Sequence, residues 1–247
     1  MSDLNYSGLF AQYYDQLYKD KPYQKEAEFI HGKIQKHNSK NEQTILELAC
    51  GTGTHSGHLA TFGYSITATD RSKESLEIAR QKSSTKDVKF KVMDMESPEN
   101  LGRFDVVICL FDSIGYLIDN KKISALFDFV RASLKPGGIF IYEYWHAGAF
   151  LKSHDVTRYK FIEKLNLHRV SNTSIDYSNQ FASVNYKFFQ DGNFYEETHN
   201  NRFFLAQEMN LFIEKAGFEL CERYAGYSDV DNIDENTWHI LDIIKSK

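Results

Sequence analysis

Three acidic residues, Glu47, Asp70 and Asp94, each stand at or near the end of an apolar or β-branched stretch. Between the first two lies the turn Cys50-Gly51-Thr52-Gly53, which directly follows the stretch TILELA. Glycine lets backbone N–H groups approach a ligand without an intervening Cβ atom. Carboxylates at the same mouth repel phosphate and favour positive charge or a pair of ribose hydroxyl groups. The pattern therefore predicts a binding site for a cationic nucleoside.

The glycine turn departs from the two common phosphate-binding fingerprints. Ser56 stands where a dinucleotide-binding turn has its third glycine, and Gly57 follows one residue late. The sequence also has no Gly-Lys-Ser/Thr, which a P-loop requires. Asp70 does lie 19 residues after Gly51, close to the spacing of about 20 typical of a ribose-binding acid. A nucleoside without pyrophosphate is favoured, and an NAD-dependent dehydrogenase stays as an alternative.

Strand and helix patterns that could position these residues alternate five times in the first part of the chain. Helices are predicted over 7–19 and 22–38, and later helices by THSGHLATFG, by SKESLEIARQKS with Ser72 as its N-cap, and by KKISALFDFVRASL. The predicted strands are QTILELA (43–49), YSITATD (64–70), DVKFKVMD (87–94), FDVVICL (104–110) and IFIYEY (139–144). Such alternation predicts an α/β fold with a doubly wound, mostly parallel sheet.

After about residue 150 the pattern alternates between apolar and polar residues, which predicts about three antiparallel strands with a hairpin turn at Asp191-Gly192. A helix and two strands follow. We interpret the chain as one domain spanning 1–247. Its predicted parts are an N-terminal helical lid (1–40), a cofactor-binding core (41–150), an antiparallel insert or cap (151–204), and a C-terminal helix with strands (205–247).

The composition limits the classes of partner. Apolar residues make up 42% of the 247 residues and charged residues 26%, and the formal net charge is −5. This charge provides no global attraction for nucleic acid or an acidic membrane. The three cysteines are widely spaced, and no apolar run approaches the length of a membrane span. We expect a cytoplasmic protein with a small-molecule substrate, no nucleic-acid or membrane partner, no signal peptide, and a monomeric or homodimeric state.

The blocks ELACGTGTH, TATD, MDM, FDVVICLFDSIGYL and LKPGGIFIYEYW stand in this order between residues 44 and 145. Together they resemble the class I S-adenosylmethionine-dependent methyltransferases. The resemblance implies a Rossmann-like seven-stranded sheet, with S-adenosylmethionine as cofactor and S-adenosylhomocysteine as product. It assigns the cofactor's methionine end to Glu47, Gly51 and Gly53, its ribose to Asp70, its adenine to Asp94 and Met95, and its amino group to Leu110. The predicted cofactor set also includes Ala49, where many members have glycine, with His55 and Arg71.

A narrower resemblance is carried by YYDQLYKDKPY (13–23), GTGTH, FDSIGYL and EYWHAGAF (143–150). These segments are similar to N-methyltransferases that dimethylate nucleotide-linked amino sugars. The resemblance implies that Tyr14 and Tyr23 close over the cofactor and that the acceptor is bound by residues including Tyr18, Ser113, Trp145 and Arg169. One departure is the loop SDVDNIDENT (228–237), which has four acids where the resembled enzymes have arginine.

Methyl transfer to an amine needs a neutral nucleophile aligned with the methyl carbon. Tyr116, Glu143 and His146 are the residues we predict to orient or deprotonate the acceptor. An O-methyltransferase, another small-metabolite methyltransferase and a non-catalytic cofactor-binding protein stay open as alternatives. His55 and His58 have the i, i+3 spacing of a helical metal pair, but no pattern completes a site, so we expect no metal.

Overall fold

A seven-stranded sheet forms the centre of the computed structural model, which describes residues 8–38 and 42–246. The strand order is β10-β11-β5-β4-β1-β2-β3, and β11 runs antiparallel to both of its neighbours. This confirms the predicted α/β fold with a mostly parallel sheet; the predicted residues 1–7 and 39–41 lie outside the described ranges. The strands are β1 Thr44–Glu47, β2 Ser65–Asp70, β3 Lys89–Val92, β4 Phe104–Cys109, β5 Leu134–Trp145, β10 Phe218–Ala225 and β11 His239–Ser246.

Helices cover both faces of this sheet. Ser72 caps α4 by accepting a 3.1 Å hydrogen bond from the backbone N–H of Ser75, as the sequence predicts. Within the described residues, no helix combines the length and apolar composition needed to cross a membrane. The helices are α1 Gly8–Leu17, α2 Tyr23–His37, α3 Thr54–Ala60, α4 Lys73–Gln81, α5 Asn120–Ser133, α6 Ala147–Ser153 and α7 Ala206–Lys215. The sequence analysis did not predict α6.

The central strand β4 is buried at all six positions, because it packs against apolar layers on both faces of the sheet. Val107 and Cys109 point into the layer that contains α5 and α7. Val106 and Ile108 point into the opposite layer, which contains α2 and α3. Burial on both faces explains the almost continuous apolar run in the sequence.

A second, four-stranded antiparallel sheet forms the cap, in the order β6-β7-β8-β9. The prediction of about three strands was one too few, because the turns at Asn166 and Gln180 place non-glycine residues at φ values of 46° and 60°. The predicted Asp191-Gly192 turn is confirmed between β8 and β9. The inner face of the cap packs on Phe10 and Leu17 of α1. The strands are β6 Thr157–Ile162, β7 Leu167–Asp176, β8 Phe181–Gln190 and β9 Asn193–Arg202.

Candidate functional site

A cavity lies beyond the carboxyl ends of β1, β2 and β4, where an open parallel sheet binds its ligands. Its floor contains the glycine turn after β1, and α1 and α2 cover it from above. Every residue of the predicted cofactor set except Gly53 lines this cavity: Tyr14, Tyr23, Glu47, Ala49, Gly51, His55, Asp70, Arg71, Asp94, Met95 and Leu110.

The glycine turn approaches the cavity with its backbone. Gly51 has a φ of 54°, and a Cβ atom built on it would meet no described atom within 4 Å. Its N–H donates a 2.7 Å hydrogen bond to Asp70, whose other carboxylate oxygen accepts a 2.8 Å bond from the N–H of Ser72. Gly53, in contrast, is packed: a Cβ there would lie 3.1 Å from the ring of Phe90. Gly51 therefore leaves room for a ligand, and Gly53 allows α3 to pack closely.

Carboxylates dominate the electrostatics of the cavity wall. Burial raises the pKa of Glu47 and of Asp70 above their ordinary values. Glu47 accepts a hydrogen bond from Ser56, and Asp94 accepts one of 2.9 Å from the N–H of Glu96. Binding to these buried carboxylates is most favourable for a ligand that brings positive charge and hydroxyl donors. These residues fit the sulfonium, ammonium and ribose groups of S-adenosylmethionine.

Asp15, which the sequence analysis did not select, connects α1 to the glycine turn by a hydrogen bond. Asp15 accepts a 2.6 Å hydrogen bond from the hydroxyl of Thr52, and its carboxylate lies 2.7 Å from the ammonium of Lys82. His55 is held similarly, because its Nε2 lies 2.7 Å from the carboxylate of Glu26 in α2. The lid helices are thus joined to the cavity floor by polar contacts as well as by packing.

The part of the cavity predicted to face the acceptor contains Ser113 and Tyr116, in the 3-10 turn Ser113–Tyr116 that follows β4. Before this turn, Phe111 and Asp112 adopt left-handed φ values of 53° and 58°. Asp112 holds the conformation by accepting hydrogen bonds of 2.6 Å from the N–H of Trp145 and 2.7 Å from the amide of Asn201. Consecutive left-handed residues are costly, and they are typical of functional loops.

Glu143 does not have the predicted position of a base. It is 2% exposed and does not line the cavity. Its carboxylate accepts hydrogen bonds from the N–H of Phe111 (2.8 Å) and the hydroxyl of Tyr227 (2.5 Å), and its other oxygen lies 2.8 Å from His239 Nδ1. Burial alone would raise the pKa of Glu143, but His239, Lys21 and Tyr227 together lower it to about 2. Glu143 stabilises the turn at Phe111 and Asp112, which we call the Phe111 loop, by accepting the hydrogen bond from the N–H of Phe111. With its lowered pKa it is too weak a base to deprotonate an acceptor.

His146 and Trp145 also lie away from the cavity wall. The ring of His146 contacts the C-terminal loop, with Nδ1 3.1 Å from the carbonyl of Thr237. The indole of Trp145 stacks on Phe150, with ring centroids 5.2 Å apart, in a separate apolar cluster. Both side chains point toward α6, a helix whose presence the sequence analysis did not anticipate.

Tyr18 and Arg169 meet beneath α1 instead of at the cavity. Burial raises the pKa of Tyr18, which hydrogen-bonds to Tyr186 and Arg169. The guanidinium of Arg169 lies 5.6 Å from the ring centroid of Tyr186. Neither residue lines the cavity, so their predicted contact with the acceptor stays a prediction.

Comparisons with known proteins are consistent with this geometry. A family model described as a methyltransferase domain matches residues 45–138. A putative methyltransferase of Bacillus subtilis, YqeM, is 30% identical over 228 residues, which cover 90% of each chain. The dTDP-3-amino-3,6-dideoxy-α-D-glucopyranose N,N-dimethyltransferase of Streptomyces fradiae is 32% identical over 143 residues, 57% of this chain and 55% of the relative. Among solved structures, an S-adenosylmethionine-dependent methyltransferase from Clostridium acetobutylicum superimposes with a TM-score of 0.83 at 23% identity, covering 96% of this chain and 97% of the other.

Proposed function

The chain belongs to the S-adenosylmethionine-dependent methyltransferases, and from this premise we propose that it methylates the amine of an amino sugar, either free or linked to a nucleotide. The observation that carries the proposal is the cavity itself. It is covered by α1 and α2, its cofactor end is rich in carboxylates, and its acceptor end presents the side chains of Ser113 and Tyr116. A covered cavity with hydroxyl groups suits a small polar acceptor better than a macromolecule.

The cofactor supplies an activated methyl group on a sulfonium, so the protein's own residues mainly bind, align and exclude water. We propose that Asp70 binds the ribose hydroxyls and that Asp94 and Met95 hold the adenine. The backbone of Gly51 and the carboxylate of Glu47 face the methionine end. In this arrangement the acidic floor neutralises the cofactor's positive charge.

The acceptor end has to present a neutral amine to the methyl carbon and keep water out. Phe111 and Leu117 line this end and supply apolar walls, and Tyr14 covers it from α1. Ser113 already donates its hydroxyl to the carbonyl of Leu110, at 2.8 Å. Tyr116 is therefore the side chain that we propose to contact the amine.

The acidic loop 228–237 was the feature of the sequence that argued against a nucleotide-linked acceptor. In the structure, two of its acids are paired with lysines outside the loop. Asp229 lies 2.5 Å from the ammonium of Lys33 in α2, and Glu235 lies 3.3 Å from that of Lys152 in α6. No residue of this loop, which the structure describes throughout, lines the cavity. Two of the loop's four charges are thus paired with neighbouring helices, and a nucleotide-linked acceptor remains part of the proposal.

The arrangement of the lid and cap supports the single-domain division into 1–40, 41–150, 151–204 and 205–247, which we retain as a proposal. The lid helix α1 contacts both the glycine turn, through Asp15, and the cap, through Phe10. The cap in turn reaches the acceptor end through Asn201. The lid and the cap are therefore both attached to the segments that form the cavity.

A labelled-methyl assay tests the proposed acceptor. The panel contains free amino sugars, dTDP-linked amino sugars, and the matching sugars with a hydroxyl in place of the amine. We expect label only in the amines, and mass spectrometry counts the methyl groups that each one gains. An Asp70→Ala variant is the control for cofactor-dependent transfer. Label in the hydroxyl analogues would replace the proposal with O-methylation, and cofactor binding without any labelled acceptor would contradict the amino-sugar assignment.

A further inference from the structure

A hydrogen-bonded chain of buried and half-buried side chains leads from the acceptor end of the cavity into the cap. The hydroxyl of Tyr116 lies 3.1 Å from Nδ1 of His199, and Nε2 of His199 contacts the carboxylate of Glu197. The other oxygen of that carboxylate accepts a 2.6 Å hydrogen bond from the hydroxyl of Tyr195. We propose that Tyr116, His199 and Glu197 form a proton relay that removes a proton from the acceptor amine; this inference rests on the proposed function.

The partners of His199 set the direction of the relay. A carboxylate only accepts hydrogen bonds, so Nε2 of His199 carries the proton that it shares with Glu197. Nδ1 is then unprotonated and accepts the hydroxyl proton of Tyr116. Tyr116 lines the cavity, and its oxygen has two lone pairs with which it can accept a hydrogen bond from a ligand there. An ammonium or hydroxyl donor of the substrate is the complementary group.

Burial keeps the side chains of His199 and Glu197 largely out of contact with water. His199 is 3% exposed and the side chain of Glu197 is 8% exposed. The ring of Phe10 in α1 covers His199 at a centroid distance of 4.9 Å. Among the residues that the structure describes, the titratable groups in contact with the imidazole are Glu197 in its own strand, Tyr116 in the turn after β4, and Tyr186 in β8 at 5.0 Å. Of these three groups Glu197 is the anion, and it stabilises a positive charge on the imidazole.

The proposed step conserves atoms and charge. The substrate ammonium gives one proton to the oxygen of Tyr116 while the hydroxyl proton of Tyr116 moves to Nδ1 of His199. The products are a neutral amine, an unchanged tyrosine and an imidazolium paired with Glu197. The amine then has the lone pair that methyl transfer requires. After the product leaves, His199 returns its proton through Tyr116 to water in the cavity. Tyr116 is the catalytic residue, and His199 and Glu197 act through it.

The first test is the pH dependence of turnover by His199→Gln and Tyr116→Phe. The acceptor is dTDP-3-amino-3,6-dideoxyglucose or, failing that, the panel amine that the wild-type enzyme methylates fastest. We expect kcat at pH 7 to fall about 100-fold in both variants, within the usual range for a lost proton acceptor, with cofactor affinity nearly unchanged. KM should stay near the wild-type value in His199→Gln, because His199 does not contact the acceptor. The loss should shrink as the pH approaches the amine's own pKa. A loss that is the same at every pH would overturn the relay.

The second test needs no acceptor. In protein labelled with ¹⁵N-histidine, NMR reports which ring nitrogen of His199 carries the proton. The relay requires the Nε2–H form in the cofactor-bound wild-type protein, and Glu197→Gln should change the nitrogen shifts of His199. A proton on Nδ1 would make His199 the donor to Tyr116 and would overturn the relay, even if methylation of an amino sugar is established. Nε2–H with no amine methylated would instead contradict the proposed acceptor and support the geometry of the relay.

The cap offers a matched control on its opposite face. The hydroxyl of Tyr159 lies 2.8 Å from Nδ1 of His168, so the pair has the same chemistry as Tyr116 and His199. His199 stands opposite Val184, and Val184 stands opposite Thr173. His168 is five residues before Thr173 and therefore points to the other face of the sheet. We expect His168→Gln and Tyr159→Phe to keep wild-type kcat and its pH profile; a matching loss in these variants would show that the effect arises from cap stability.

Discussion

Asp15 in the lid helix α1 accepts a 2.6 Å hydrogen bond from the hydroxyl of Thr52 in the glycine turn. The same carboxylate is paired with Lys82, at the end of α4. One side chain thus connects the lid to two structural parts of the cofactor site. Closure of the lid and binding of the cofactor should therefore be energetically linked.

Replacing Asp15 with alanine should weaken cofactor binding. A hydrogen bond to a charged group contributes about 1.5–3 kcal/mol, and part of that stabilises the closed lid, so we expect the Kd for S-adenosylmethionine to rise about tenfold. Isothermal titration calorimetry measures the change. Asp20→Ala is the matched control, because that carboxylate is exposed and lies 3.9 Å from Lys160. Equal affinities in wild type and Asp15→Ala would show that the contact does not control closure.

Asp70→Asn should have opposite effects on binding and on stability. The ribose hydroxyls that we propose to donate to Asp70 would lose a charged acceptor, so we expect cofactor affinity to fall about 100-fold. Burial raises the pKa of Asp70, so its carboxyl stabilises the fold most at low pH and loses that contribution as the pH rises through the folded-state pKa. At pH 7 the charged form is unfavourable in the fold. The ligand-free variant should then unfold at an equal or higher temperature in calorimetry, and a marked decrease would contradict this reasoning.

Much of the core could be predicted from the sequence, because its signals are local. The run from β1 through the glycine turn to α3, and the cap of α4 at Ser72, are each specified within about ten residues. The apolar stretch of β4 indicated a strand buried on both faces. These features placed Glu47 and Asp70 at one cavity before any contact was known.

The acceptor side could not be predicted in the same way, because its contacts join distant segments. Tyr116 and His199 are 83 residues apart, and nothing near Tyr116 indicates its partner. The segment YEETH places Tyr195, Glu197 and His199 on one face of a strand, a signal that alternation could have revealed. Glu143 was predicted to orient or deprotonate the acceptor, because the resemblance places the segment 143–145 beside the acceptor. Its role depends on Tyr227 and His239, which follow about a hundred residues later.

Ala49→Gly should stabilise the protein, since Ala49 adopts a left-handed φ of 52°. That conformation destabilises the folded state by about 1–2 kcal/mol for a residue with a Cβ atom, and glycine removes this strain. Glycine also has more conformational freedom in the unfolded chain, which reduces the gain in stability by about 0.5–1 kcal/mol. We expect a net gain of about 0.5–1 kcal/mol in urea denaturation. Ala60→Gly, at the last residue of α3, is the paired control and should lose stability, by less than the roughly 1 kcal/mol of a helix interior. A loss at both positions would mean that the Cβ of Ala49 contributes packing that outweighs its strain.

Glu143→Gln should reveal how much the charge of Glu143 contributes to the stability of the protein. The pKa of Glu143 is about 2 in the folded protein, against an ordinary 4.5. A depressed carboxyl pKa contributes stability that is present above about pH 4.5 and is lost as the pH falls toward 2. A shift of this size corresponds to about 3 kcal/mol, so the variant should be less stable than wild type by about that amount at pH 7.

The difference in unfolding free energy between wild type and Glu143→Gln should then narrow between pH 4.5 and pH 2. Urea denaturation at several pH values measures it, with Glu163→Gln on the exposed surface of the cap as the control. The amide oxygen that replaces the carboxylate in this variant can still accept from the N–H of Phe111, so the loop should keep its shape and the variant should keep the wild-type pH profile of kcat. A difference that does not change with pH would mean that packing, and not the charge of Glu143, stabilises the loop beside the acceptor.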